Sequence, residues 1–174
     1  MDMGKNKKIN IQKITMVAVM AALIFVVTWL VKVPLPGAGG QAYFNLGDML
    51  IYVSAYILGG PLTALAAAIG SGLADFAVGA YLYVVPTIII KALMGLVAGI
   101  IDNKKDVKRY LLACVVAGAI MTAGYTLYEY AIVGALYANI SFYMNLIQWA
   151  AGVAAAMAFY PAARRIYVYY KSRN

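Results

Sequence analysis

Long apolar runs, separated by short polar or Gly/Pro-rich breaks, make up most of the chain. A helix needs about 20 apolar residues to cross a hydrocarbon layer of roughly 30 Å. The runs at residues 14–33, 62–80, 83–101, 111–133 and 142–160 therefore predict five spanning helices. A further run, 49–58, is short for a span and ends at Gly59-Gly60-Pro61, a strong turn signal; its helix is expected to begin near Asn45 or to be sheltered by protein. The first run is too long for a removable signal peptide and lacks a small-residue cleavage site. Pro86 is expected in the first turn of its helix, where a missing amide proton costs little, and Pro161 just beyond the last one. The third run is built from Ala and Gly, with Gly70, Ser71 and Gly72 at its centre. Small residues let helices approach closely in lipid, so this helix belongs inside the bundle. The predicted fold is an all-α integral membrane protein, a six-transmembrane-helix bundle forming one domain over residues 1–174, with a basic N-terminus (1–13) and a basic tail (161–174).

Composition agrees. The chain is 65% hydrophobic and 11% charged, with a mean hydropathy of +0.83, against about 45–50% and 25% in soluble domains. A single cysteine, Cys114, excludes an intramolecular disulfide and a cysteine metal cluster. With no histidine, His-based metal sites and His-based catalysis are also excluded, and no cofactor is expected. The net charge of +8 is concentrated in three clusters: Lys5, Lys7, Lys8 and Lys13; Lys104, Lys105, Lys108 and Arg109; Arg164, Arg165, Lys171 and Arg173. Six crossings put all three on one side, which by the positive-inside rule is the cytoplasm, together with both termini. These clusters orient helices and touch anionic lipid; nucleic acid is not the expected partner.

Against this background, Asp48, Asp75, Lys91 and Glu129 stand out, because they lie within or beside the apolar runs. Intramembrane charge is costly, pairs or faces a polar cavity, and marks functional sites. Asp48, Asp75 and Glu129 fall near the outer ends of their helices, with Lys91 deeper. One reading pairs Lys91 with Asp75 or Glu129 merely to fix helix positions. The other makes these groups ligand contacts, and two spare carboxylates then favour a ligand with donors or positive charge. Tyr125 and Tyr128 accompany Glu129, Asn45 and Tyr83 lie at the outer ends of their own helices, and Asn145, Gln148 and Trp149 follow along the outer half of the last one. Trp149 could stack on a flat heterocycle while the amides read its ring heteroatoms. Each tyrosine also has a competing role at the membrane interface, since the chain has 15 of them.

The order of Tyr43-Phe44-Asn45-Leu46-Gly47-Asp48, Leu58-Gly59-Gly60-Pro61, Pro86-Thr87 and Lys91-Ala92-Leu93-Met94-Gly95-Leu96-Val97-Ala98-Gly99, after a small-residue first helix and a Gly/Pro-rich loop, resembles the S components of energy-coupling factor vitamin transporters. The nearest branch is the riboflavin type, which includes proteins assigned to hydroxymethylpyrimidine and vitamin B6. The resemblance covers nearly the whole chain. It implies a subunit that binds one vitamin near the extracellular face, joins a coupling membrane protein and two cytoplasmic ATPases, and topples to release its substrate inside. The chain has no G-x-x-x-x-G-K-[ST] motif, so ATP hydrolysis is expected on the partners. The family's Ala-x-x-x-Ala docking signal has its match in Ala18 and Ala22, with Ala21 beside them. Residues four apart share a helix face, and two alanines there leave a flat patch for another helix, although packing within the bundle would use the same pattern.

Three classes of function are compatible with these features. A vitamin-binding S component accounts for the charges, the outer loop and the alanines together. A self-contained small-solute transporter accounts for the charges alone. A membrane-embedded enzyme fits least, for want of an activated nucleophile or an acidic metal motif. For the ligand, a small pyridine or pyrimidine (vitamin B6 or hydroxymethylpyrimidine) suits the carboxylates and amides, with riboflavin the alternative.

Overall fold

A computed structural model describes residues 11–34, 43–102, 104 and 106–172. Pro36, Gly37, Gly39 and Gly40 of the loop, and the basic residues Lys5, Lys7, Lys8, Lys105 and Arg173, lie outside the described residues. Six helices carry the fold: α1 (Ile11–Leu30), α2 (Gly47–Leu58), α3 (Gly60–Ala77), α4 (Tyr81–Ile101), α5 (Val107–Ile132) and α6 (Ala135–Ser172). Between α1 and α2, β1 (Lys32–Pro34) and β2 (Tyr43–Asn45) form a short antiparallel ladder that pairs Lys32 with Asn45. Among the described residues, five helices are long and apolar enough to cross a membrane, and α2 is a shorter apolar helix.

With 12 residues, α2 is only about 18 Å long, less than the hydrocarbon thickness of about 30 Å. It is apolar all round, with Ile51, Tyr52, Ala55 and Tyr56 almost fully buried, as expected of a helix sheathed by others rather than by lipid. Its neighbours are α1, α3, α4 and α6, with a smaller contact to α5. Glycines set the closest crossings. A Cβ on Gly70 would lie 2.5 Å from the Ala21 carbonyl oxygen of α1, and one on Gly99 would lie 2.1 Å from the Gly60 nitrogen of α3. The small-residue helix α3 is thus held between α1 and α4; its glycine face lies in the bundle interior as its composition predicts, whereas Leu65, Ile69 and Leu73 are exposed on the other.

Two proline expectations need correction. Helix α4 begins at Tyr81, so Pro86 sits in its second turn and the helix runs on through it. Helix α6 does not end before Pro161 but continues to Ser172, 38 residues in all. Packing beyond the proline explains this: Ala163 is buried, and Tyr160 and Tyr167 both meet the Tyr56 ring edge-on, at 5.3 and 5.6 Å between centroids. Tyr110 completes this aromatic cluster, 5.4 Å from Tyr56. At the start of α5, the Asp106 carboxylate caps the helix by accepting the Lys108 amide proton at 3.0 Å.

Candidate functional site

The motif Asn45-Leu46-Gly47-Asp48 has a local structural logic. The Asn45 side-chain oxygen accepts the Gly47 amide proton at 2.9 Å, closing the turn into α2. Gly47 has no room for a side chain, since a Cβ there would lie 2.0 Å from the Thr28 hydroxyl of α1. Asp48 then falls in the first turn of α2, where the helix dipole favours a negative charge.

Asp48 is fully buried and forms an ion pair with the equally buried Lys91 of α4. One reading of the sequence paired Lys91 with Asp75 or Glu129. The structure gives Asp48 instead, because α2 enters the bundle against both α4 and α6. Gln148 of α6 completes the arrangement: its amide nitrogen donates to the second Asp48 oxygen at 2.8 Å, and its oxygen accepts the Asn45 backbone proton at 2.9 Å. Both carboxylate oxygens are thereby served, as a buried charge requires. Lys91 also lies 5.5 Å from the centre of the Tyr125 ring, whose hydroxyl is 2.8 Å from that of Thr87.

A second polar cluster lies between α4, α5 and α6. Glu129 of α5 is 1% exposed. One of its oxygens, Oε1, accepts from the Tyr83 hydroxyl at 3.1 Å and the Ser141 hydroxyl at 2.8 Å. Asn145 donates to Ser141 at 3.3 Å. The Tyr128 hydroxyl donates to the Leu82 carbonyl at 2.6 Å, and its ring meets Tyr83 edge-on at 5.6 Å. Tyr125, Tyr137 and Met144 pack around Tyr83.

Most of the singled-out residues therefore meet in two adjoining clusters, one holding Asn45, Asp48, Lys91 and Gln148, the other Tyr83, Tyr128, Glu129 and Asn145, with Tyr125 between them. Asp75 is buried near the end of α3, the helix packed on α4. Trp149 is wedged against α5 in a notch left by Gly118, where a Cβ would lie 1.9 Å from the indole, and it packs on the main core. Thr87, Tyr137 and Ser141 were missed. Ser141 was within reach of sequence reasoning, since it stands one helical turn before Asn145 on the same face.

On α1, Ala18 and Ala22 are exposed, whereas Ala21 turns inward and is 7% exposed. The exposed pair lines an apolar groove between α1 and α3 together with Phe25, Leu65, Ile69 and Leu73.

Comparison with known proteins places this architecture. The family model described as "ECF-type riboflavin transporter, S component" matches residues 8–167. A thiamine precursor transporter, HmpT of Lactococcus lactis subsp. cremoris, is 28% identical over 156 residues, covering 90% of each chain. An uncharacterized protein of Pyrococcus woesei is 31% identical over 131 residues, 75% of this chain and 86% of its own. This is a family of multi-pass membrane transport subunits rather than of enzymes. With the match running over nearly all of its length, the chain belongs to the family of ECF-type riboflavin transporter S components.

Proposed function

We propose that this protein is the high-affinity substrate-binding S component of an importer for a small water-soluble vitamin or vitamin precursor, and that its ligand is a pyrimidine or pyridine such as hydroxymethylpyrimidine or vitamin B6. The observation that carries the reading is the pair of buried polar clusters in an otherwise apolar bundle, one of them built around a carboxylate and ringed by half-buried tyrosines. Flat aromatic walls with a few fixed polar groups are the usual make-up of a heterocycle site. The likeness to a thiamine precursor transporter supports the pyrimidine. Riboflavin is the second reading, favoured by the description of the matching family.

In this proposal Asn45, Asp48, Lys91 and Gln148 form the floor, Tyr83, Tyr125, Tyr128, Glu129 and Asn145 contact the ligand, and Asp75 and Trp149 hold the surrounding helices. Both termini and the polar break at residues 102–109 face the cytoplasm, as the basic clusters favour. The groove bearing Ala18 and Ala22 receives a helix of the coupling membrane protein, which in turn carries the two ATPases. The test is a thermal-shift panel of vitamins on the purified protein, with mass spectrometry of any co-purified heterocycle. A ligand that binds only the folded state raises apparent stability by mass action. No stabilisation by any vitamin, with solute transport by the protein alone, would overturn the proposal.

A further inference from the structure

Glu129 is incompletely served. Its Oε1 accepts two hydroxyl protons, but Oε2 is shielded from solvent and receives no hydrogen bond. Among the described residues no cationic side chain forms an ion pair with it. Lys91, the one basic side chain buried among those residues, is neutralised by Asp48. A carboxylate oxygen left without a donor in an apolar bundle is costly, so something with a proton to give belongs beside it.

The surrounding hydroxyls restrict what that can be. A hydroxyl has one proton. Tyr83 and Ser141 spend theirs on Glu129, and Tyr128 spends its own on the Leu82 carbonyl. Each of these three oxygens can therefore meet a newcomer only as an acceptor. Together with Oε2 they form a set of acceptors around half-buried aromatic rings; the Tyr137 hydroxyl and the second Asn145 amide proton are the donors beside them, and none of these side chains is cationic to receive an anion.

From this we infer that the Glu129 cluster selects its ligand by an amine, taking amino-heterocycles and rejecting their oxo counterparts and phosphate esters. The inference rests on the reading of this cluster as the ligand site and names the chemistry that the site recognises. Where a buried carboxylate oxygen lacks a donor, an analogue whose amine is replaced by a carbonyl is disfavoured, because acceptor then faces acceptor and Oε2 stays unpaired.

Calorimetric titration of the wild-type protein with hydroxymethylpyrimidine and with its oxo counterpart, and with pyridoxamine against pyridoxal and against pyridoxamine phosphate, tests this. In each pair the amine should bind at least about tenfold more tightly, with the phosphate ester weaker than its parent. In Glu129→Gln the amide can still accept from Tyr83 and Ser141 through its oxygen while its nitrogen replaces Oε2 as a donor. The preference should then vanish or reverse towards the oxo form. Because the paired ligands need only wild-type protein, the comparison decides even where that variant does not fold. Equal affinity within the pairs, or tighter binding of riboflavin than of any amine, overturns this inference and leaves the S component reading standing. Absence of binding by every vitamin overturns both.

Discussion

Lys91 on α4 and Asp48 in the first turn of α2 share a buried ion pair, and Gln148 of α6 holds the second oxygen of the same carboxylate at 2.8 Å. One carboxylate thus ties three helices together at a single point. Removing one member leaves a buried charge without its partner. Lys91→Met should therefore lower stability in detergent by about 3 kcal/mol. Asp48→Asn combined with Lys91→Met should recover part of that loss, because neither charge then remains. A double variant no more stable than Lys91→Met alone would mean that the pair is not the source of the effect.

The crossing of α3 and α4 gives a second test. A Cβ on Gly99 would meet the Gly60 nitrogen at 2.1 Å and its Cα at 2.4 Å, and backbone cannot swing aside as a side chain can. Gly99→Ala should cost roughly 1–3 kcal/mol, read as a lower melting temperature. Gly79→Ala places its Cβ in open space but at a φ of +79°, so it should cost only the backbone strain, about 1 kcal/mol.

How far such contacts can be read from sequence differs from element to element. The long spans were legible because about 20 consecutive apolar residues have few other uses, and Gly59-Gly60-Pro61 announced its turn. The ion pair was not. The residues near Lys91 were readable, but its partner depends on the face each helix turns inward, and the short helix α2 delivers Asp48 from a position 43 residues away. Pro161 misled for a similar reason: local propensity argued for a stop, and the tyrosine cluster beyond it supplied the packing that lets α6 continue. The seat of Trp149 against Gly118 was likewise illegible, because the two residues lie on different helices.

Sidedness can be checked by labelling. Lys108 is exposed at the start of α5, and Cys114 is the chain's single cysteine and is buried. With Cys114→Ala, a cysteine at position 108 should resist a membrane-impermeant thiol reagent in intact cells and react once the cells are opened. Labelling from outside would invert the proposed topology.

Partner docking predicts a separation of effects. Ala18 and Ala22 are exposed, so replacing both with Trp should leave the isolated fold and vitamin binding nearly unchanged while blocking co-purification with the coupling protein. The corresponding change at Ala21, which is buried against α3, should instead destabilise the isolated subunit. Unimpaired assembly of the double variant would rule this face out.

Helix α6, at 38 residues, is roughly 57 Å long, nearly twice the hydrocarbon thickness of about 30 Å. Its two ends therefore cannot both lie in oil. Asn145 and Gln148 in its first half are built into the polar clusters, whereas Arg164 and Arg165 near the far end are exposed. Under the proposed function such a rod would work as a lever: a small re-angling of α6 around a captured molecule would be magnified at the arginine end, beyond the bilayer.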